Sequence, residues 1–322
     1  MIDEGDDTYK KAKMIVFMLS VILASVIGKE RAFLIKIGTC VKGKDFLDVL
    51  PWVVENGFET VELYFNETLG GMEFVETSKR AKEIIGDSGV EITSIGLYCN
   101  PLQYEHQRKE LEYCIENAYL FGADIVATFA GALSGLSVDK TIPEFKKVFN
   151  ELTKAAENSN VKIGIENAHM YGHWYAPTCN IGFCPRAWEM LFDAVDSDHL
   201  GLEWEPSHQL EQFGDPISQL KKWLPKIVHV HGKDAVVDWE HIKKYGAWFG
   251  ESYCKHRFPG LGECDWSEII HILSEYGYKR DICIEGFHDP VYCGEREYEG
   301  QLAALYYLKK SRESARESTS QG

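Results

Sequence analysis

Short apolar runs alternate with longer amphipathic segments along this chain from residue 31 onward, and the unit recurs eight times. The apolar runs are rich in β-branched and aliphatic residues and are followed by turns, which is typical of strands buried on both faces of a parallel sheet. Strands are predicted at residues 33–38, 60–64, 91–97, 125–129, 162–165, 200–204, 227–230 and 282–284. Helices are predicted between them, among others at residues 46–56, 74–86, 106–121, 142–158 and 267–276.

Eight strand–helix units in a chain of 322 residues predict a closed (β/α)₈ barrel, the α/β TIM-barrel fold, as a single domain. An open, doubly wound sheet would carry a glycine-rich phosphate turn after its first strand, and IGTCVKGKD at residues 37–45 does not match GxGxxG. We predict an N-terminal extension over residues 1–30, a barrel domain over 31–310 and a polar C-terminal tail over 311–322.

An apolar segment within the N-terminal extension bears on where the protein resides. Residues 14–28 form an uncharged run after Lys10, Lys11 and Lys13, with the length of a signal-peptide core rather than of a membrane span. Acidic residues precede the lysines and no Ala-x-Ala cleavage site follows, so a helix that covers the barrel floor is an alternative. We expect a cytoplasmic protein; export or membrane tethering through residues 14–28 is the alternative, and only that alternative implies membrane contact.

Composition and charge narrow the function classes. The chain is 45% hydrophobic and 26% charged, as in ordinary soluble globular proteins, and its net charge is −16 without a cluster of Lys or Arg. Because proteins bind nucleic acids largely by neutralising phosphates, a DNA or RNA partner is disfavoured. The nine cysteines include no CxxC pair, so reduced thiols fit better than a disulfide framework or a zinc ribbon.

Four motifs at the ends of predicted strands carry the candidate chemistry. They are IGIENAH at residues 163–169, LGLEWEPSH at 200–208, IVHVHGKD at 227–234 and ICIEGFHDP at 282–290. In a TIM barrel the carboxyl ends of the strands build the active site, so polar side chains delivered there by adjacent strands can converge. Three carboxylates and one imidazole suit one divalent cation, Mn²⁺, Mg²⁺, Co²⁺ or Zn²⁺. The predicted ligands are Glu166, Glu205, His231 and Glu285.

The ligand from the sixth strand has a competitor. Glu203 and Glu205 are two residues apart, and strand alternation places them on the same face of the sheet. Either carboxylate is therefore a candidate ligand, and we favour Glu205.

The order of these motifs resembles the xylose isomerase-like TIM-barrel superfamily, and within it the sugar phosphate isomerase/epimerase branch with tagatose 3-epimerase-like enzymes and inosose dehydratases. The resemblance runs from residue 33 to about residue 308 and includes RFPGLGECDW at residues 257–266. It implies the same four metal ligands, although relatives usually place Asp where this chain has Glu205 before Pro-Ser-His.

The resemblance also implies a reaction on a small carbohydrate. In epimerase-like members the first and last glutamates act as acid and base, here Glu166 and Glu285. One removes a proton beside a ketose carbonyl, a metal-stabilised enediolate forms, and the other returns the proton. A metal-dependent isomerase or epimerase of a ketose or ketose phosphate is the first expectation. A dehydratase or lyase acting on a keto-sugar or keto-inositol is the alternative, since it begins with the same proton abstraction.

Further residues are predicted to bind the substrate. His208 resembles the substrate-orienting histidine of the family, and His169 could either bind a sugar hydroxyl or support Glu166. Glu62, in the second strand, matches a position that often faces the pocket in relatives. A homo-oligomer is compatible with the resemblance.

The sequence leaves two possible roles open for each of two basic residues. Lys233 is predicted to contact a substrate oxyanion or to pair with Asp234, which we expect to be structural. Arg257 is predicted either to hold an anionic group of the substrate through its planar fork or to brace a loop through a salt bridge.

Other functions of related barrels fit the sequence less well. A DNA-repair enzyme like endonuclease IV would need more metal-binding histidines and a basic groove, which a net charge of −16 argues against. A hydride-shifting xylose isomerase would need a second set of ligands, which we do not identify in the sequence. The acid–base pair argues against a sugar-binding protein without catalysis.

Overall fold

The structure is a computed structural model that describes residues 35–247 and 252–319. The predicted apolar segment at residues 14–28 lies outside these described residues. In the ranges described, no helix combines the length and the apolar character that a membrane crossing requires.

Eight parallel strands close into a barrel, which confirms the predicted TIM-barrel fold. Each barrel strand pairs with its neighbours along the chain, and the last pairs with the first. The barrel strands are β1 (Lys36–Lys42), β2 (Thr60–Asn66), β3 (Glu91–Tyr98), β4 (Ile125–Thr128), β5 (Lys162–Glu166), β6 (Leu200–Trp204), β7 (Ile227–Gly232) and β10 (Asp281–Ile284). Two further strands, β8 (Asp234–Val237) and β9 (Cys254–Arg257), stand outside the barrel.

Helices follow the strands and surround the barrel. They are α1 (Phe46–Glu55), α2 (Phe74–Ile85), α3 (Glu105–Asn117), α4 (Val138–Ser159), α5 (Pro185–Ala194), α6 (Pro206–Glu211), α7 (Pro216–Trp223), α8 (Trp239–Tyr245), α9 (Trp266–Tyr276) and α10 (Glu297–Thr319). Helix α9 illustrates the local signals. The side chain of Asp265 accepts a hydrogen bond from the backbone N–H of Glu268, and the helix stops at Gly277, whose φ of 84° suits glycine.

The antiparallel hairpin of β8 and β9 was not predicted from the sequence. It pairs Asp234 with Arg257 and Val237 with Cys254. Only Lys233 separates β8 from β7, so the apolar residues of β8 look like a continuation of the barrel strand. The hairpin matters because it carries His256 to the carboxyl end of the barrel, beside the candidate site.

Residues 311–319 belong to a helix, whereas a polar tail was predicted over 311–322, of which residues 320–322 lie outside the described part of the chain. Helix α10 continues to Thr319. Arg312 is 8% exposed and binds the carboxylate of Glu59 at 2.7 Å and the backbone carbonyl of Ile35 at 2.7 Å. This segment is rich in good helix formers, and a charged composition alone does not reveal that one arginine is buried.

Candidate metal and substrate site

The four predicted metal ligands converge at the carboxyl end of the barrel. Glu166 ends β5, Glu205 follows β6, His231 lies in β7 and Glu285 follows β10. The Nδ1 atom of His231 lies 3.3 Å from an oxygen of Glu285, 3.5 Å from one of Glu205 and 3.9 Å from one of Glu166. One candidate ligand atom from each residue lies within 4.8 Å of the others, and all four side chains are buried. We call these four residues the upper cluster.

Unpartnered atoms in the upper cluster test whether it fits a cation. Nδ1 of His231, Oε2 of Glu205 and Oε2 of Glu285 are buried and have no hydrogen-bond partner among the described residues. Buried polar atoms are normally paired, because leaving them unpaired costs free energy. Here the three unpaired atoms face one another. Oxygen and imidazole donors in this arrangement fit a divalent cation of the Mn²⁺, Mg²⁺, Co²⁺ or Zn²⁺ type.

Glu203 lies on the other side of the His231 ring. Its carboxylate contacts Nε2 of His231, and the Tyr98 hydroxyl donates to it at 2.8 Å. The structure thus brings Glu205 to the upper cluster and Glu203 to a deeper group inside the barrel.

Glu62 belongs to this deeper group and is not among the residues that line the cavity, where the sequence analysis expected it. Its two carboxylate oxygens lie 3.1 Å from Nε2 of His231 and 2.7 Å from Nε2 of His229. Gly96 makes room for it, because a Cβ there would lie 2.6 Å from the Glu62 carboxylate. Position in a strand shows the face of a side chain but not its depth in the barrel. We call Glu62, Ser94, Glu203, His229 and Asp281 the lower layer.

The lower layer sets the protonation of its members. Burial acts to raise the pKa of Glu62, but the imidazoles of His231 and His229 lower it on balance. Burial acts to lower the pKa of His229, but the carboxylates of Asp281 and Glu62, which accept hydrogen bonds from its ring, raise it to about 9. An ionised Glu62 beneath Nε2 of His231 fixes the orientation of that ring and leaves Nδ1 directed at the upper cluster.

Above the upper cluster lies a cavity of about 380 Å³. Glu166, Lys233 and Glu285 are among its lining residues, together with the ring of Tyr64. Burial raises the pKa of the Tyr64 phenol, and the carboxylates of Glu285 and Glu166 raise it further, so Tyr64 is a neutral hydrogen-bond donor or acceptor at the cavity wall. A cavity of this size is at the lower end of the range of about 300–1,000 Å³ that is typical of small-molecule sites.

Lys233 pairs with the upper cluster and not with Asp234. Its ammonium lies 2.9 Å from Glu285 and 3.7 Å from Glu205. Asp234 instead accepts hydrogen bonds from the backbone N–H groups of Ala235 and Cys264, which is the structural role expected of it. Lys233 therefore adds a positive charge beside carboxylates at the base of the cavity.

Three histidines surround one carboxylate that the sequence analysis missed. An oxygen of Glu211 lies 2.9 Å from His169, 3.4 Å from His256 and 3.6 Å from His208. His208 also reaches Glu205 at 3.1 Å, and all four residues line the cavity. Glu211 lies three residues after His208 in α6, where a helix would bring them together, but the contribution of His256 depends on the unpredicted hairpin.

Arg257 braces a loop. Its Nε donates to Asp289 at 2.9 Å, and Arg257 is not among the lining residues of the cavity. Of the two alternatives from the sequence, the structure contains the salt bridge.

Comparison with known proteins places the chain in a family. The family model described as xylose isomerase-like TIM barrel matches residues 50–310. Inosose dehydratases of Bacillus velezensis and Clostridium tetani are 32% and 28% identical over 37% and 52% of this chain, and these matches span 41% and 53% of the relatives' lengths. An inosose dehydratase of Clostridium beijerinckii is 27% identical over 86% of this chain and 97% of its own length.

Solved structures show the same fold. A xylose isomerase-like TIM-barrel protein from Mycobacterium smegmatis in complex with magnesium has a TM-score of 0.65 at 16% identity, over 88% of this chain and 98% of its own. A 3-keto-D-glucoside 4-epimerase from E. coli has a TM-score of 0.64 at 16% identity, over 86% of this chain and 99% of its own. With the family model covering most of the barrel, the chain belongs to the xylose isomerase-like TIM-barrel family.

Proposed function

We propose that this protein is a divalent-metal-dependent isomerase or epimerase that moves a proton beside the carbonyl of a keto-sugar. The observation that carries the proposal is the convergence of three unpartnered buried atoms, from Glu205, His231 and Glu285, at the base of a cavity. A family relationship alone would not suffice, because one fold hosts many chemistries. The curated relatives named as dehydratases and the epimerase among the structural neighbours support a carbohydrate substrate.

The upper cluster would hold the cation, and a structural neighbour crystallised with magnesium supports this assignment. When bound, the cation would supply positive charge that stabilises negative charge on a carbonyl oxygen, which makes the neighbouring C–H more acidic. The identity of the metal does not follow from these donors, since carboxylates and one imidazole accept several divalent ions.

Glu285 is the proposed base and Glu166 the proposed acid. Lys233 lies 2.9 Å from Glu285 and places a positive charge beside the proposed base. Without a bound cation, burial and then the nearby carboxylates of Glu203 and Glu205 raise the pKa of Glu166 well above its usual range. Two carboxyl groups that line one cavity can remove a proton from a substrate and return one.

His208, His169 and Lys233 are the proposed substrate-binding residues. Their side chains line the cavity; Glu211 lies 2.9 Å from the imidazole of His169, and Glu205 lies 3.1 Å from that of His208. An anchored imidazole can hold a sugar hydroxyl in place without moving itself, which keeps the reacting carbon near the acid–base pair.

Hydrogen exchange in D₂O tests the proposal. Metal-loaded protein is incubated with a panel of ketoses, ketose phosphates and keto-inositols, and deuterium is detected by mass. We expect deuterium at the carbon beside the carbonyl, its loss with a chelator, and its loss in Glu285→Gln. The matched control is Glu116→Gln, an exposed residue of α3 that should leave exchange unchanged. Exchange that persists in Glu285→Gln would contradict the assignment of the base.

A dehydratase is the second candidate, because a relative that aligns over 97% of its length is an inosose dehydratase. Loss of water from the substrate also needs a proton donor near the leaving hydroxyl, and Lys233 lies at the base of the cavity for that purpose. The products separate the two functions. An isomer of unchanged mass in ordinary water indicates an isomerase or epimerase, whereas a product lighter by one water indicates a dehydratase.

A further inference from the structure

We propose that the substrate has a second ring, and that this ring binds in an aromatic groove beside the metal cavity. The inference rests on the proposed function, because the first ring is the keto-sugar held at the upper cluster. The groove is lined by aromatic residues of the loop after β5, of the loop after α6 and of the segment before β9, chiefly Tyr171, Trp174, Phe213 and Tyr253.

The groove lies next to the metal cavity and shares a wall with it. Its volume is about 700 Å³, and His169, Tyr171, Glu211 and Ser252 line both spaces. The metal cavity alone, about 380 Å³, is near the lower end of small-molecule sites, which span about 300–1,000 Å³. A substituent on the sugar ring would leave the metal cavity past His169 and enter the groove directly.

The lining of the groove suits a ring. The side chains of Tyr171 and Phe213 are exposed, at 90% and 46%, although both are large and aromatic. Phe213 stacks on Tyr253 with ring centroids 5.3 Å apart and an angle of 26° between the planes, and it also contacts Trp239 at 5.5 Å, so these rings form one aromatic cluster at the groove wall. Flat aromatic surfaces bind other rings by stacking. The groove also includes Gln212 and His173, whose polar atoms suit hydroxyls better than an acyl chain.

Backbone geometry is a separate sign that these walls are positioned for binding. Tyr171 and Phe213 both have a φ of 59°, in the left-handed region that bulky residues rarely adopt. Met170 and His288, which line the metal cavity, also have positive φ values of 48° and 76°. Such strained residues cluster at binding sites, where the surrounding structure holds them in place.

Two probes that differ only in the second ring test the inference. Methyl and phenyl 3-keto-β-D-glucopyranosides are titrated into Mn²⁺-loaded protein, and their dissociation constants are measured by calorimetry. We expect the phenyl compound to bind about threefold to tenfold more tightly, as stacking on aromatic side chains provides. Equal binding, or no measurable binding of either probe, would contradict the second-ring site and point to another occupant, such as residues 1–34 of this chain or a second copy.

Variants locate the effect. Phe213→Ala should reduce the preference for the phenyl compound, and so should Tyr171→Ala. The matched control is Tyr175→Ala, in the same loop as Tyr171, 78% exposed, and lining neither the cavity nor the groove. It should leave both dissociation constants unchanged. If both groove variants still prefer the phenyl compound, the second ring does not bind in this groove.

The same probes separate this inference from the proposed function. Metal-dependent deuterium exchange without preference for the phenyl compound would leave the reaction standing and remove the second-ring site. Tighter binding of the phenyl compound without deuterium exchange would support the second-ring site and contradict the proposed reaction.

Discussion

The two ring nitrogens of His231 contact different groups of residues. Nδ1 faces the carboxylates of the upper cluster, while Nε2 contacts Glu203 and Glu62 of the lower layer. An anionic partner on one nitrogen orients the ring and makes the other a better ligand. Two glutamates two residues apart, Glu203 and Glu205, thus lie on opposite sides of one imidazole.

Metal affinity should distinguish the role of Glu203, in β6, from that of Glu205, just after β6. Glu205→Gln removes a proposed metal ligand. Glu203→Gln instead removes a carboxylate that contacts the proposed ligand His231. Loss of an outer partner typically costs about 10-fold to 100-fold in metal affinity, so we expect a larger loss for Glu205→Gln than for Glu203→Gln. Titration of both variants with Mn²⁺ by electron paramagnetic resonance measures this. The reverse order would move the ligand assignment to Glu203.

Metal affinity should also rise with pH. Burial lowers the pKa of His231, but the neighbouring acidic groups, Glu203 first, raise it well above its usual range. The pKa of Glu166 is raised as well, by burial first and then by its acidic neighbours. A cation must displace the protons that both groups hold. Lowering the pH therefore strengthens the competition of protons with the metal. Weaker Mn²⁺ binding at about pH 6 than at about pH 8 is the expected result, and equal binding would mean that neither group is a ligand.

At the scale of elements, the β8–β9 hairpin and the last turns of α10 could not be predicted from the sequence pattern. The eight barrel strands could be predicted because each is a short apolar run, and the four residues of the upper cluster because each ends or follows such a run. The hairpin could not, since its first strand follows β7 after one residue and its second, Cys254–Arg257, is partly polar. Glu211 gains two of its three histidine partners through contacts that no periodicity shows, and the depth of Glu62 depends on the closed barrel.

Arg312 should stabilise the packing of α10 against the start of β1. Its guanidinium binds Glu59 and the carbonyl of Ile35, and hydrogen bonds to charged groups contribute about 1.5–3 kcal/mol each when buried. Because the Glu59 side chain is 30% exposed, we expect Arg312→Ala to lower the free energy of unfolding by about 1–2 kcal/mol. Urea denaturation measures this, with Arg296→Ala as control. Arg296 is 52% exposed and pairs with exposed Glu299, so its loss should cost ~0.5 kcal/mol or less. A similar loss in both variants would contradict the special role of Arg312.

At the scale of the whole molecule, the closed barrel brings four distant segments of sequence to one point. Residues 166 and 285 are far apart in the chain, yet both lie beside His231 because their strands end at the same edge of the barrel. The location of the protein in the cell and the absence of a nucleic-acid partner stay predictions, as does the role of residues 14–28.

The position of a bound metal would show whether the upper cluster is the metal site. Crystals of Mn²⁺-loaded protein would be measured by anomalous diffraction at the manganese edge. We expect one anomalous peak bonded to Nδ1 of His231 and to carboxylate oxygens of the other three residues of the upper cluster. A peak in the lower layer, on the Nε2 side of His231, or no peak in the barrel, would contradict this assignment.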